Sequence, residues 1–220
     1  MLDLDDGYLI VGWGAEPTYN ENFAIKIYKT DKYGNEIWRK IYGKPGTRYV
    51  TGLAGSLILT EDSNFAFAGT VQDSATLLTQ VLLFKFNGNG DSLWSRIYNY
   101  SGFDFAYQCQ QDREGNYYIL GIAGEHGSGN ENTFLLKTFS NGQLIWSKSY
   151  DTPGYDGASS IEWTDEGNLL IGGAAEDGSM FWKAYFLEVD TAGEILTKKY
   201  YGEEKDYCGH NYRPASGRRM

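Results

Sequence analysis

A hydrolytic or acyl-transfer centre needs a nucleophile held against a base, and this chain offers little from which to build one. Its 220 residues include two histidines, His126 and His210, and two cysteines, Cys109 and Cys208. No Gly-x-Ser-x-Gly, His-Glu-x-x-His or Cys-x-x-Cys spacing occurs. Carboxylates are plentiful, with pairs at Asp5-Asp6, Glu61-Asp62, Asp165-Glu166 and Glu203-Glu204. Three of those pairs stand just before an apolar run, where acidic side chains solvate a turn. Asp104, Asp156 and Asp206 are more suggestive, because each follows a recurrent Tyr by five or six residues. If the fold gathers them on one rim, their oxygens can hold calcium; otherwise each caps a turn through backbone N–H groups. The polar loop Glu125–Asn132 carries oxygen ligands of the same kind. Calcium is thus the expected ligand ion, and no organic cofactor is implied.

Recognition by contact has better material. Aromatic residues make up 16% of the chain, and Trp13, Tyr19, Phe103, Tyr155 and Trp182 stand in loop-like surroundings where rings meet a ligand. The net charge of −10 with no basic stripe repels phosphate backbones, so nucleic acid is not the expected partner. No stretch reaches the roughly 18 apolar residues of a membrane-crossing helix. Two cysteines are too few for a disulfide framework, and they fall at different phases of the repeat described next. Ordinary thiols are expected, with a Cys109–Cys208 bridge left open. The N-terminal run MLDLDDGYLIVGWG lacks the basic start and apolar core of a signal peptide.

The elements that must position these residues repeat. DDGYLIVG, DSNFAFAG, EGNYYILG and EGNLLIGG end on Gly12, Gly69, Gly121 and Gly173. A second marker, YGNEIWRKIYG, NGDSLWSRIYN, NGQLIWSKSYD and AGEILTKKYYG, turns on Gly34, Gly90, Gly142 and Gly193. Both keep a period of about 52 residues. Four residues after each turn glycine comes Trp38, Trp94 or Trp146, with Thr197 as the exception. Lys40, Arg96, Lys148 and Lys199 follow two residues later, then Tyr42, Tyr98, Tyr150 and Tyr201. A spacing of two puts Trp, cation and Tyr on one strand face, where they either pack blade on blade or form an aromatic platform for a ligand.

Between the markers lies a third apolar run (FAIKIYKTD, VLLFKFNGN, FLLKTFSNG, YFLEVDTAG), and the link to the next repeat adds a weaker strand near Ala158–Thr164. Several strands are apolar on both faces and so must be covered on both sides. Four strands per repeat, doubly covered sheets and turns marked by Gly, Asn and Asp describe an all-β β-propeller of about four blades, each of four antiparallel strands. It forms one domain over residues 1–220, with units near 1–47, 48–103, 104–155 and 156–205. The chain is expected to open at the second strand of a blade, Asp6–Gly12. Residues 206–220 then form an atypical closing strand or the truncated start of another repeat. An open arc of blades leaves sheet faces and an edge uncovered, so three outcomes stand open: a homodimer, aggregation, or closure as a four-bladed ring.

Asp6-Gly7-Tyr8 through Gly12, Gly115-Asn116-Tyr117 through Gly121, Gly34-Asn35-Glu36-Ile37-Trp38, and Asn141-Gly142 through Trp146 carry a resemblance. From residue 5 to about 207 the chain resembles the tandem propeller repeats of secreted and surface proteins of Bacteroidetes-type bacteria. That resemblance implies export to the cell surface or beyond, often with a C-terminal sorting domain for type IX secretion. Sialidase-type Asp boxes set Gly three residues before the aromatic, whereas here the interval is four. Quinoprotein-type propellers share the Gly-x-x-x-Trp spacing but place Thr where this chain has Tyr33, Asn89 and Asn141, so no quinone cofactor is carried over. The expected function is a non-catalytic binding or scaffolding module that presents loops to a protein or glycan. The alternatives are a polysaccharide lyase or hydrolase at the channel mouth, and a structural spacer.

Overall fold

Each repeat folds into its own sheet because its apolar runs are strand-length and glycine turns separate them. The computed structural model describes residues 1–20, 22–52, 56–124, 131–150, 156–176 and 182–202, and for Asp156 and Glu176 the backbone alone. The first sheet runs β1 (Leu2–Leu4), β2 (Gly7–Ala15), β3 (Phe23–Thr30) and β4 (Glu36–Tyr42). The second runs β5 (Thr47–Thr51), β6 (Leu57–Leu59), β7 (Phe65–Asp73), β8 (Thr79–Phe86) and β9 (Ser92–Tyr98), with β5 and β6 sharing the innermost place against β7. The third runs β10 (Asp104–Gln111), β11 (Tyr117–Ala123), β12 (Asn132–Thr138) and β13 (Leu144–Tyr150). The fourth runs β14 (Asp156–Trp163), β15 (Leu169–Glu176), β16 (Trp182–Val189) and β17 (Ile195–Tyr201). All pairings between these strands are antiparallel, and they follow chain order except that β5 and β6 both pair with β7. These sheets are the blades of a β-propeller. They pack first on second, second on third and third on fourth, and among the described residues no comparable packing joins the fourth to the first.

One expectation is corrected. The chain does not open at a second strand: Leu2–Leu4 forms a short inner strand, pairing Leu2 with Leu9 and Leu4 with Gly7. Leu2 and Leu4 are drawn in because they pack on the apolar cluster between the first two blades. Residues 206–220 lie outside the described residues.

The Gly that ends the first marker has a specific cause in the second, third and fourth blades. In the third blade the inner strand bulges between Ala106 and Gln108, and in the fourth between Ala158 and Ser160. In the second blade it breaks after Thr51. Beside that irregularity the inner strand presses on the second. A Cβ on Gly69, Gly121 or Gly173 would lie 2.6, 2.0 or 2.3 Å from the carbonyl oxygen of Val50, Phe105 or Gly157.

Three apolar clusters fill the three junctions, and the Trp–cation–Tyr face locks each one from outside. A Cβ on Gly90 would lie 2.6 Å from the Trp38 ring, on Gly142 3.0 Å from Trp94, and on Gly193 2.8 Å from Trp146. The Tyr hydroxyls donate to the same glycines' carbonyls: Tyr42 to Gly90 at 2.5 Å, Tyr98 to Gly142 at 2.6 Å, and Tyr150 to Gly193 at 3.1 Å. Lys40 pairs with Asp91 at 2.8 Å and Lys148 with Glu194 at 2.5 Å; at the middle junction Gln143 takes the acid's place and Arg96 lies over Trp94. The recurrent face is therefore blade packing.

A further cation sits across from each Trp. Lys29 pairs in register with Trp38, Lys85 with Trp94 and Lys137 with Trp146; in the fourth blade the pair is Glu188 with Thr197. Lys85 is buried 6.0 Å over Trp94 and 5.8 Å over Tyr117, and is neutralised by Asp62 at 2.6 Å. An anion cannot use an aromatic face in this way, so Thr197 departs from the repeat together with Glu188. The acidic turn pairs of the first two blades thus have partners: Lys29 holds Asp6 as Lys85 holds Asp62.

Removing one hydroxyl (Tyr98→Phe) is expected to cost about 1 kcal/mol, and Trp94→Ala about 3 kcal/mol. Urea midpoints at unchanged slope read both, and equal losses would mean that the ring is not the principal contact. Burial alone would raise the Asp62 carboxyl, but hydrogen bonds from Lys85 and Thr60 outweigh it and bring its pKa down to about 2. The folded value lies below the unfolded one, so this contribution is complete above about pH 4 and lost as pH falls towards 2. Melting curves of the wild type and Asp62→Asn should converge over that interval, and a constant separation would contradict it.

Candidate functional site

The inner strands define two rims. One rim holds their starts and the loops between second and third strands; the other holds the turns that follow them. At the first rim Asp104 is fully buried, and its carboxylate accepts bonds from Tyr100 N (2.8 Å), Ser101 N (3.0 Å) and Ser101 Oγ (2.6 Å). Its oxygens are thus occupied by its own turn. Asp156 opens β14, with only its backbone described, and Asp206 lies outside the described residues. Among the described residues no group of three or more His, Cys, Asp or Glu stands close enough to hold a metal ion.

The aromatic candidates on this rim are spread over separate blades. Trp13 is 46% exposed at the end of β2, with its ring centroid 4.8 Å from that of Phe23, over which Arg48 also lies. Tyr19, in the short 3-10 turn Pro17–Tyr19, lies against Gly43. Phe103 packs edge-on to Phe105 at 4.9 Å, and Trp182 begins β16. Tyr155, His126, His210 and Cys208 fall outside the described residues. Cys109 is buried, its thiol donating to the Ser56 carbonyl at 3.1 Å, and burial pushes its pKa up to about 12. The two pairs Trp13–Phe23 and Phe103–Phe105 belong to different blades and form no common floor.

The opposite rim carries a cleft of about 610 Å³ between the third and fourth blades. Its walls are the turns after the inner strands: Glu61 from the second blade, Asp112, Arg113 and Glu114 from the third, and Thr164 to Gly167 from the fourth. Lys137 and Thr191 close its outer end, and Trp163 at the end of β14 supplies its aromatic wall. Trp163 is set edge-on to Tyr118 at 5.2 Å and packs on the cluster between these blades. Tyr118 is fixed in turn by Trp146 at 6.2 Å and by Lys137 at 4.9 Å over its ring. Burial and the nearby Asp112 charge push the Tyr118 hydroxyl well above the ordinary phenol range, so it stays protonated.

The cleft is braced by hydrogen bonds. Lys137 donates to Thr191 O at 3.3 Å and stands 3.9 Å from Asp112, which accepts from Asn116 N at 2.8 Å. Gln111 accepts from Glu61 N at 2.8 Å and donates to Gly115 O at 2.8 Å, which ties the second blade's turn to the third's. Gln110 and Gln108 make the matching link from the third blade to Ile161 of the fourth. The cleft therefore combines an aromatic ring held by its neighbours with charged groups around it, the two kinds of surface that stacking and hydrogen bonding use. Sequence reading reached Glu61, Asp165 and Glu166 as turn solvation and passed over Trp163. The available signal was that Trp163 falls at the repeat position of Gln111 and Leu59, an aromatic out of phase with the pattern.

No protein-family model matches the chain, and a search of curated proteins finds no match. Among solved structures, the crystal structure of a neuraminidase-like protein of A/flat-faced bat/Peru/033/2010 is similar at 14% identity and a TM-score of 0.41. The likeness covers 91% of this chain and 56% of that one, so the chain spans little more than half of that protein's length. No helix among the described residues is long and apolar enough to cross a membrane.

Asp104→Ala strips three donors of their acceptor and is expected to cost about 2 kcal/mol. The loss should be the same in calcium and in chelator. A calcium-induced rise in the melting temperature of the wild type that the variant lacks would assign Asp104 to an ion instead.

Proposed function

We propose that this propeller is a non-catalytic binding module whose ligand is an oligosaccharide seated in the cleft between the third and fourth blades. The observation that carries the reading is Trp163, held edge-on to Tyr118 and bordered by Asp112, Glu114, Arg113 and Lys137. A sugar ring offers an apolar face to an aromatic side chain and hydroxyls to surrounding charged groups, and this wall and rim suit both. The cleft carries five carboxylates, of Glu61, Asp112, Glu114, Asp165 and Glu166, against the two cations Arg113 and Lys137. That balance favours neutral or amino-bearing sugars and repels polyanionic chains. Export to the cell surface or beyond, which the repeat resemblance implies, is where such a module meets glycans.

The test is calorimetric titration of the chain with neutral, basic and sulfated oligosaccharides. Binding of the first two classes is expected, with affinity falling at least about tenfold in Trp163→Ala, as for loss of a buried aromatic anchor. Arg48→Ala, on the far rim, should bind as the wild type does. Binding that survives Trp163→Ala, or a preference for the sulfated chains, would refute this reading.

A further inference from the structure

The turns that lead into the second strands are alike in three blades, but the charges beneath them are not. Each turn closes with the same two backbone bonds. Thr60 N donates to Asn64 O and Ser63 N to Thr60 O in the second blade. Asp112 N donates to Asn116 O and Gly115 N to Asp112 O in the third, as do Thr164 N to Asn168 O and Gly167 N to Thr164 O in the fourth. Glu61-Asp62, Arg113-Glu114 and Asp165-Glu166 therefore occupy equivalent places. On the third strand, opposite the second strand's next-to-first residue, stand Lys85, Lys137 and Glu188. Lys85 reaches Asp62 at 2.6 Å and neutralises its turn. Lys137 is committed within the cleft, 3.9 Å from Asp112, 3.3 Å from Thr191 O and 4.9 Å over the Tyr118 ring. In the fourth blade the place is taken by Glu188, which accepts from Asn168 Nδ2 at 2.9 Å.

The fourth blade's wall of the cleft has thus exchanged its own counter-charge for a further carboxylate. Asp165 and Glu166 are exposed, as are Glu61 and Glu114 on the other walls. No ion pair among the described residues engages any of these four. Lys137 is taken by Asp112, so Arg113 is the cation of the lining that stands against them. Two departures from the repeat, an aromatic gained at Trp163 and a cation lost at Glu188, meet at this one turn. A ring beside carboxylates that have no counter-ion suits an ammonium group, which uses cation–π attraction and ion pairing together.

Resting on the cleft as an oligosaccharide site, we infer that its ligand is an amino sugar whose protonated amine seats at the fourth-blade turn beside Trp163. The ligand then supplies to Asp165 and Glu166 the charge that Lys85 supplies to Asp62 from within. A neutral sugar meets the ring but leaves these carboxylates uncompensated. N-acetylation removes the charge and keeps the sugar ring, so it separates the two contributions.

Calorimetric titration at about pH 5.5, where a sugar amine is protonated, compares the trisaccharides of glucosamine, N-acetylglucosamine and glucose. The glucosamine trisaccharide is expected to bind about tenfold more tightly than either neutral one, as a cation–π contact and an exposed ion pair together provide. Asp165→Asn combined with Glu166→Gln should bring the three ligands to the same affinity. Glu188→Lys, which restores the cation of the other blades, should shrink the preference in the same direction. Glucosamine binding no tighter than the neutral sugars overturns this inference and leaves the oligosaccharide reading standing. A preference that survives the Asp165 and Glu166 replacement overturns it as well. Failure of all three trisaccharides to bind overturns both.

Discussion

One contact sets the geometry of this molecule: the Trp ring of one blade lying on the turn glycine of the next, with a Tyr hydroxyl bonded to that glycine's carbonyl. The glycine answers two demands together. Gly90, Gly142 and Gly193 have φ of +79°, +78° and +77°, a region that disfavours side chains. The ring above would also collide with any Cβ. The turn therefore presents bare backbone, and bare backbone is what a flat ring and a hydroxyl can both approach. Burial and this bonding keep the phenol protonated: burial pushes the Tyr98 and Tyr150 hydroxyls well above their ordinary range. With both ends of the contact fixed in phase, the repeat length has little freedom, because the strands between them must span the same distance each time.

The lock also decides what may stand beneath it. A lysine across the strand from the Trp is buried only because an acidic turn neutralises it and two rings border it, as at Lys85. When the fourth blade exchanges lysine for Glu188, the Trp opposite gives way to Thr197, and Asn168 satisfies the glutamate at 2.9 Å. Two departures that look independent along the chain are one change in space. The acidic pairs before the second strands of the first two blades follow the same logic, since Asp6 and Asp62 are the counter-charges of Lys29 and Lys85.

Blade architecture was legible in the sequence because the lock repeats: period, strand content and the shared face of Trp, cation and Tyr all follow from spacings of two and about 52 residues. The first inner strand was not, since Leu2–Leu4 is three residues long and earns its place by packing on residues of another blade. The cause of Gly121 and Gly173 was also hidden, because a bulge in a neighbouring strand leaves no mark in the glycine's own segment. The candidate site fared worst. Asp104 drew attention by recurring in phase, and its own carboxylate caps the turn before it. Trp163 breaks phase, and its cleft is assembled from three blades whose residues lie up to 130 positions apart, from Glu61 to Thr191.

That contrast indicates where a repeat protein of this kind holds its specificity. Residues in phase are those that every junction needs, so they report on assembly: the turn glycines and the locking tyrosines. A ligand contacts few blades at once and needs a surface unlike the others, which only an out-of-phase residue provides. Trp163, where another blade has Gln111, is such a position. The lock restrains the sheets and leaves the turns free to differ, so a binding cleft can arise on a rim without disturbing a junction. Trp163 meets both conditions, since it packs on the shared core and also lines the cleft.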